Sequence, residues 1–268
     1  MSQNMGEYAK YFLEVASEQR LQIIQLINED EFRLSELAKK LDATTPEVHR
    51  NLQRLEKSGF LVKNSNGHFV LTTLGQTLLA IIPNLTFVIK NKKYFLKHPI
   101  DTLPQKFISR IGDLSNCKLH TSYVNVFDYW KNIYANSQEY IYNILYEVPY
   151  FDEFVTPIHE KLSQGVKVKS IFYEKAMVSG SRSDIIKKFK KYIDNGDIQR
   201  MMTKNVNAAV ILSEKQSSLI FPDIDGKFDA GYAFTSEDPL FHQWCFDYFN
   251  YCWYNALPFV EKRLEKIP

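Results

Sequence analysis

One stretch of the sequence, residues 45–57, concentrates side chains that could read DNA. A helix predicted to start at Pro46 has apolar residues at Val48, Leu52 and Leu55, which leaves its polar and basic residues on the opposite side. Arginine bridges two acceptors of guanine, glutamine and asparagine pair with adenine, and lysine holds phosphates. The residues expected to contact DNA, taken from this helix and the hairpin after it, are Thr44, Thr45, Glu47, His49, Arg50, Gln53, Arg54, Lys63, Asn66 and His68.

Arg50 and Gln53 are the best candidates for base contacts in this set. Both fall on the exposed face within the first two turns, where a recognition helix usually meets the major groove. An ordinary helical hairpin with a solvated polar face, or a winged helix that binds another protein, would show a similar charge pattern. The elements around the helix decide between these interpretations.

Those elements have the order helix, turn, helix, hairpin. Leu34, Leu37, Ala38 and Leu41 recur at helical spacing, and residues 42–44 break the pattern. Thr45 is a good N-cap, and Pro46 suits the first helical position because its missing N–H would have no partner there.

After Ser58-Gly59, two short strands are predicted at residues 61–63 and 68–71. They flank Asn64–Gly67, whose Asn-Gly pair would supply the positive φ angles of a tight hairpin. The agreement of turn chemistry and element order favours a winged helix-turn-helix that binds DNA.

Composition limits the class of protein. The 268 residues are enough for two domains, and the formal net charge of only +2 means that any basic DNA-binding surface must be local. No uninterrupted transmembrane run or secretion signal is recognised, and three widely spaced cysteines fit a reducing compartment. We therefore expect a cytoplasmic protein without membrane contact.

The predicted domain organisation is a winged helix-turn-helix over residues 1–83, a connecting helix over 84–98 and a sensory domain over 99–268. The winged domain closes with a helix that ends before Pro83. The connecting helix carries four lysines, which are either a solvated face or a linker that contacts phosphate or a second copy.

The pattern of the C-terminal part predicts an α/β domain with a mixed sheet, so that the whole chain is of the α+β or mixed class. Strands at Tyr140–Leu145, Val166–Tyr173 and Ile198–Met202 alternate with helices, as in βαβ units. A hairpin at residues 208–221, a strand at Phe228–Phe234 and a long helix at Pro239–Leu264 follow; the remaining predicted helices are Val124–Ala135, Tyr150–Leu162 and Ser183–Ile193.

Catalytic motifs are not recognised in this sequence. It has no glycine-rich phosphate loop, CxxC pair, HExxH or GxSxG elbow, and its one His-x-Lys, at His159, falls inside a predicted helix rather than on a strand. His242, Cys245 and Cys252 share one side of the terminal helix and suggest a metal or redox sensor as an alternative. The two thiols lie two turns apart, however, so core packing is the default, and no metal or cofactor is predicted.

A ligand site is predicted at the carboxyl ends of the parallel strands, where loops diverge and leave a crevice. The residues there are an aromatic and a carboxylate on each of two strands, which could bind a polyol or a cationic ring, or could only pack at the edge. They are Tyr146, Glu147, Tyr173, Glu174 and Lys175.

Three segments, Tyr94–Leu114, Leu219–Trp244 and Phe246–Ala256, resemble the start and end of the middle domain of archaeal methanogenesis-regulatory-type transcription factors. With the winged helix included, the resemblance covers nearly the whole chain. It implies a transcriptional regulator with a non-catalytic effector domain, distantly similar to the sugar-responsive regulators of archaea. It does not identify the effector.

The leading hypothesis is a homodimeric, sequence-specific DNA-binding regulator whose C-terminal domain senses a small molecule or another signal. The alternative is a metal- or thiol-based redox sensor, or an enzyme with an accessory winged helix. A twofold pair doubles the specific contacts to a pseudo-palindrome and fixes their spacing. The candidate dimer surfaces are Leu78, Ile81, Ile82, the helix from Leu85, and the aromatic residues Phe246, Tyr248, Phe249, Tyr251 and Trp253, which could equally be intradomain core.

Overall fold

The computed structural model describes residues 5–149, 151–179, 182–260 and 265–266. The chain divides into two compact units, residues 1–83 and 84–268. Each unit has its own hydrophobic core. The predicted mixed α and β fold, with a winged helix before an α/β domain, is confirmed.

The first unit is a winged helix. Three helices pack around Ile24, Leu37, Val48 and Leu55, all of which are inaccessible to solvent, and a two-stranded antiparallel wing follows. The apolar periodicity of the sequence therefore buries the faces that it predicts. The elements are α1 (Met5–Val15), α2 (Glu18–Glu29), α3 (Leu34–Lys40), α4 (Thr45–Lys57), β1 (Leu61–Lys63), β2 (Phe69–Leu71) and α5 (Thr73–Lys90).

Two local predictions in this unit need correction. The N-cap of α4 is Thr44, not Thr45, because Thr44 is extended at φ −72° and ψ 143° and its carbonyl already accepts the first helical N–H groups. In the wing, Gly67 has a positive φ of 83° but Asn66 does not. The Asn64 side chain closes this turn instead, since its Oδ1 accepts the backbone N–H groups of Asn66 and His68.

The prediction that a helix ends before Pro83 is wrong. Helix α5 continues through Pro83 to Lys90, and the separate connecting helix reduces to α6 (Lys92–Phe95). Proline costs one helical hydrogen bond, but the helix continues because Phe87, one turn later, is buried in the core of the second unit. Among the described residues, α5 alone has the length and composition that a membrane span needs, and only 11% of it is buried.

The second unit is built on an eight-stranded mixed sheet. Strands β4, β6 and β8 are parallel to one another and correspond to the three predicted strands, while the remaining neighbours are antiparallel. The sheet order is β12-β8-β6-β4-β9-β10-β11-β3. The strands are β3 (Lys118–His120), β4 (Tyr140–Leu145), β6 (Lys167–Tyr173), β8 (Ile198–Thr203), β9 (Ala209–Ser213), β10 (Ser217–Ile220), β11 (Ala233–Ser236) and β12 (Leu257–Pro258).

Helices cover both faces of this sheet. The cluster on one face includes Trp244 and Phe249 of the terminal helix, and the cluster on the other includes Tyr134 and Phe154 of two earlier helices. The helices are α7 (Gln105–Ile108), a 3-10 turn (Ile111–Leu114), α8 (Tyr123–Asn136), α9 (Asp152–Ser163), α10 (Arg182–Asp194) and α11 (Pro239–Tyr254), and a small parallel sheet joins β5 (Val148–Pro149), β7 (Met177–Ser179) and β13 (Glu265–Lys266).

Two predictions in this unit are wrong in extent. Helix α11 ends at Tyr254 rather than Leu264, because Pro258 keeps the preceding residue extended and the pair Leu257–Pro258 joins the sheet beside β8. The strand predicted at Phe228–Phe234 starts only at Ala233, since Asp229 Oδ1 accepts the Gly231 N–H in a turn. Tyr150 and residues 261–264 of the predicted helices lie outside the described residues.

Candidate DNA interface and effector cavity

The exposed face of α4 lies opposite its three buried residues. At 100° per residue, Arg50, Gln53 and Lys57 point away from Val48, Leu52 and Leu55, and all three are exposed. Arg50 makes no ion pair or side-chain hydrogen bond with any residue that the structure describes. Its guanidinium is therefore free to bind an external acceptor, as the sequence predicts, and Lys57 extends the same face beyond the predicted set.

Arg54, one turn after Arg50, is in a different state. Its Nε and Nη2 atoms donate to the two carboxylate oxygens of Glu14 at 2.8 and 2.9 Å. The hydrogen bond from Arg54 is the largest cause of the lowered pKa of Glu14, and it raises the pKa of Arg54 in turn. The structure thus places this predicted DNA contact in a bidentate ion pair between α4 and α1.

Arg20 reinforces this contact from the protein interior. Its guanidinium, only 9% exposed, donates to the carbonyl oxygens of Leu13 and Glu14 and lies 3.8 Å from the Glu14 carboxylate. Burial is the main reason that the pKa of Arg20 is lowered. Glu14 is thus held between two arginines, a cluster that sequence reasoning missed because its members are 6 and 40 residues apart.

The remaining predicted DNA contacts divide by exposure. Thr44, Thr45, His49 and Gln53 are exposed around the start of α4, whereas Glu47 is half-buried. A short run of neighbours on one helix end can reach one groove together, so the four exposed residues remain candidates for DNA contact.

The wing presents two of its three predicted contacts. Lys63 and Asn66 are exposed, but His68 is half-buried and its Nδ1 is shielded from solvent. Asn64 ties the wing to the loop before α3, because its Nδ2 donates to Glu31 Oε2 at 2.9 Å. Arg33 Nη2 reaches the Asn66 carbonyl oxygen at 3.5 Å, so a further cation lies beside the wing.

In the second unit, a cavity of about 320 Å³ lies at the carboxyl end of β4. Tyr146 and Glu147, two of the predicted ligand residues, line it. Tyr173 stacks on the outer side of Tyr146, with ring centroids 5.1 Å apart, while Glu174 and Lys175 are not among the lining residues. The structure therefore brings together the residues that follow β4 but does not bring those that follow β6 into this cavity.

Most of the cavity wall comes from residues that sequence reasoning did not select. They are aromatic side chains of α8 and α9 together with apolar residues of β9 and β10. Aromatic residues spaced four and three apart on α8, at Tyr123, Phe127 and Trp130, would have been a usable signal. The lining residues are Tyr123, Phe127, Trp130, Tyr134, Ile144, Leu145, Tyr146, Glu147, Phe151, Phe154, Ala209, Ile211, Ser218, Ile220, Phe228 and Ala230.

The histidines and cysteines singled out from the sequence pack against aromatic rings or backbone, or are buried in the core. His159 lies on α9 against the rings of Phe189 and Tyr192, and His242 Nε2 lies 2.8 Å from the Ser213 carbonyl oxygen. Burial raises the pKa of Cys252 to about 11, and it raises the pKa of the fully buried Cys245 well above its usual value. Within the described part of the chain, no three His, Cys, Asp or Glu residues form a group that could hold a metal.

Comparison with known families identifies both units. The HVO_A0261 N-terminal domain model matches residues 10–91, and the model of the middle domain of the methanogenesis regulatory protein FilR1 matches residues 134–255. The resemblance expected from the sequence is therefore confirmed. The match to the middle domain begins at residue 134, however, so Tyr94–Leu114, which the sequence suggested as the start of that domain, lies outside it. Both matches agree with a role in transcription regulation and DNA binding.

Several solved structures are similar to the chain at low sequence identity. TrmBL2, an archaeal chromatin protein, is 13% identical with a TM-score of 0.41, over 85% of this chain and 88% of that one. NucT from Helicobacter pylori is also 13% identical with a TM-score of 0.41, over 54% and 99% of the two chains. HlyU from Vibrio cholerae is 21% identical with a TM-score of 0.28, over 32% and 97%. No curated protein matches the chain.

Proposed function

We propose that this chain, in which an HVO_A0261-type N-terminal domain precedes a FilR1 middle domain, is a sequence-specific transcriptional regulator that acts in the cytoplasm as a homodimer. Helix α4 would enter the major groove and the wing would contact the flanking phosphates. The observation that carries the proposal is the free, exposed row of Arg50, Gln53 and Lys57 opposite the buried side of α4.

The row supports sequence reading because it combines two kinds of contact. Arg50 and Gln53 can each make a bidentate contact to a base edge, and Lys57 can neutralise a phosphate. A protein-binding winged helix would instead be expected to present aromatic and apolar anchors on this face, since such residues dominate protein interfaces. Between residues 45 and 57, the side chains opposite the core are polar or charged apart from Pro46.

Selection of bound duplexes from a random pool tests the proposal. We expect enrichment of a pseudo-palindrome whose half-sites are separated by a whole number of helical turns, about 10–10.5 base pairs each. Sequencing of the bound fraction at two salt concentrations checks this. A bound pool with no enriched sequence would show that the protein binds only the phosphate backbone, and would contradict sequence-specific regulation.

The dimer is supported by a stripe of exposed apolar residues on α5. Ile81, Leu85 and Ile89 lie one turn apart and are 58%, 64% and 59% exposed, and Leu74 continues the stripe two turns earlier. Their spacing of three and four residues is that of a helix that packs against a second helix. Helix α1 also exposes two aromatic side chains, Tyr8 and Phe12, and it has no buried residue of its own.

A second copy of the chain is the occupant that fits this stripe best. The stripe has no charged residue, so two copies related by a twofold axis could pair along it without placing like charges together. A regulator of a pseudo-palindrome needs such a pair. Monomeric soluble proteins rarely leave an apolar row of this length in water.

Light scattering of an Ile81→Glu variant tests this surface. We expect the unchanged protein to have twice the chain mass of 31.4 kDa, and the variant to have the chain mass itself, because a buried carboxylate would oppose the pairing. Gln76→Glu, an exposed position on the same helix away from the stripe, is the matched control. Equal masses for Ile81→Glu and the unchanged protein would exclude this surface, and vesicle binding that Ile81→Glu abolishes would show a membrane contact instead.

The second unit is proposed to sense a small molecule without catalysing a reaction. The supporting observation is the cavity at the carboxyl end of β4, which falls within the range that ligand sites occupy and is lined by Tyr146 and Glu147. A non-catalytic role agrees with the surroundings of His159 and His242, each of which packs against an aromatic ring. Thermal shift of the protein with candidate ligands tests for binding.

A further inference from the structure

We propose that the cavity at the carboxyl end of β4 binds a lipophilic organic cation, an ammonium group attached to an apolar or aromatic body. This inference names the ligand class of the sensory role proposed above and rests on that role only for its effect on DNA binding. It is carried by the rings that line the cavity, by the one charged side chain among them, and by the polar groups already paired there.

Eight of the lining side chains are aromatic, and their rings form two groups of contacting side chains in the cavity wall. Phe127 lies 4.3 Å from Phe154 and 5.3 Å from Tyr123 between ring centroids, and Phe228 lies 4.8 Å from Tyr146 on the opposite side. Such a wall offers the faces of several rings to one ligand. The negative face of an aromatic ring attracts a cation, and cages of this kind recognise quaternary ammonium groups.

The charges at the cavity have one sign. Glu147 is the only ionisable carboxylate or amine among the described residues that line it, and it is exposed at the mouth. Asp223 lies close enough to Tyr146 to affect it: burial first, and then Tyr173, Glu147 and Asp223, raise the pKa of the Tyr146 phenol. A positive ligand is therefore attracted to the mouth, and an anion is repelled.

Apart from the Tyr123, Tyr134 and Tyr146 hydroxyls and the Glu147 carboxylate, the side chains that line the cavity are apolar or already hydrogen-bonded. The Trp130 Nε1–H donates to Ser218 Oγ at 2.9 Å, so the indole presents its ring to the cavity rather than a free donor. Most of the lining is aromatic or aliphatic, so a polyol would leave the hydroxyls that face these walls without hydrogen-bond partners, which is unfavourable. This argues against the polyol that the sequence left open and in favour of the cationic ring.

A smaller adjoining cavity of about 110 Å³ orients the ligand. It shares Tyr134, Leu145 and Phe154 with the first, and it is lined by Asn143, whose buried Oδ1 has no hydrogen-bond partner, and by Arg200. Asn143 Oδ1 would accept a hydrogen bond from a neutral N–H or O–H of the ligand. The ammonium group therefore belongs at Glu147 and any neutral donor at Asn143.

Calorimetry with a matched set of probes tests the proposal on the full chain without DNA. The probes are benzyltrimethylammonium, its neutral isostere neopentylbenzene, and phenylmethanesulfonate, which carries the opposite charge. We expect the ammonium probe to bind about 10-fold more tightly than the isostere, and the sulfonate not to bind. Equal affinity for the ammonium probe and the isostere would overturn the proposal, because the cavity would then select only apolar shape.

Two variants assign the binding to this cavity. We expect Glu147→Gln to reduce the preference for the cation over its isostere several-fold, and Phe127→Leu to weaken both probes. Glu139→Gln is the matched control, since Glu139 is an exposed carboxylate beside the opposite end of β4. Cation binding that survives both Glu147→Gln and Phe127→Leu unchanged would place the site elsewhere and overturn the proposal.

Folding and regulation are separated by two further measurements. Thermal unfolding of each variant shows whether it folds. If Phe127→Leu fails to fold, Glu147→Gln still tests the site, because Glu147 is exposed and its replacement should not disturb folding. DNA binding measured without any probe reports the proposed regulator function alone. Loss of probe binding with intact DNA binding therefore counts against the ligand class only, and the reverse result counts against the regulator.

Discussion

Replacement of Arg50 and of Arg54 by alanine should have unequal effects on DNA binding, although both are exposed arginines one turn apart on α4. Arg50 makes no ion pair among the residues that the structure describes, while both donor groups of Arg54 that face α1 are bound to Glu14. An arginine that already has a bidentate carboxylate partner must give it up before it can bind a phosphate or a base. The first variant therefore tests the recognition face and the second tests this ion pair.

The expected magnitudes follow from these two states. If Arg50 contacts a guanine with both donors, its loss costs about 1–3 kcal/mol, or roughly 5- to 150-fold in affinity for the selected duplex. Discrimination at one base position should relax with it. Arg54→Ala should change the affinity much less. Any hydrogen bonds that the Arg54 guanidinium makes to DNA would replace the hydrogen bonds that it already makes to Glu14, so their net contribution to binding is small.

Fluorescence anisotropy with the duplex enriched by selection measures both effects. Each variant is titrated from low to moderate salt against the enriched duplex and against a scrambled one, so that specific and non-specific affinities are obtained together. Arg50→Ala should lower the ratio of the two affinities. Lys63→Ala should lower both affinities equally and reduce the salt slope by about 0.9.

A third variant, Glu14→Gln, tests the same ion pair from the side of Glu14. It removes the charge that holds Arg54, so Arg54 becomes available and non-specific affinity should rise, with a salt slope steeper by about 0.9 if one phosphate is gained. The double variant Glu14→Gln, Arg54→Ala should lose that gain. If Arg54→Ala weakened binding as much as Arg50→Ala, the ion pair would not survive in the complex and the assignment of the recognition face would be wrong.

Three further predictions concern the stability and reactivity of the chain. Gly75→Ala should lower the free energy of unfolding of the first unit by about 1–3 kcal/mol, because the added Cβ would lie 2.2 Å from the Phe60 carbonyl oxygen; thermal unfolding with Gly6→Ala as control checks this. The native thiols should react with iodoacetamide at pH 8 far more slowly than the thiols of the unfolded chain, because burial raises the pKa of Cys117 and Cys252 to about 11. Fast labelling of the folded protein would instead support the redox-sensor alternative. Because the pKa of Glu14 is lowered in the folded protein, its ionised carboxylate stabilises the fold at pH values above the unfolded pKa, and this stabilisation is lost as the pH falls through the folded pKa. The melting temperature of Glu14→Gln should therefore fall less steeply with decreasing pH below about pH 4.3.

The winged helix could be predicted because its signals are local. The spacing of Val48, Leu52 and Leu55 fixes the buried side of α4, and Pro46 and Gly67 mark the start of the helix and the turn of the wing. Each signal acts within a few residues, and its neighbours point to the same fold. The strands β4, β6 and β8 were predicted for the same reason, since each is a run of β-forming residues bounded by a turn.

Features that depend on distant residues could not be predicted. The ion pair between Glu14 and Arg54 joins positions 40 residues apart, so no local sequence pattern could predict it. Helix α5 passes through Pro83 because Phe87 is buried in the second unit, so tertiary packing overrides a local stop signal. The cavity likewise takes its walls from α8, α9 and the three strands β4, β9 and β10, and only the part next to β4 was recognised.

The two faces of the large sheet differ in a way that suits a sensor. On one face, α11 places Trp244, Phe241 and Phe249 against the strands, all without exposure to solvent. On the other face, α8 and α9 leave two adjoining cavities, one of which exposes the buried and unpaired Asn143 Oδ1. A ligand that enters there would stabilise the unit by RT ln(1 + [L]/Kd), about 2.7 kcal/mol at a hundredfold excess over Kd. That free energy is available to shift an equilibrium only where packing is incomplete, and so the signal is expected on the α8 and α9 face rather than beneath α11.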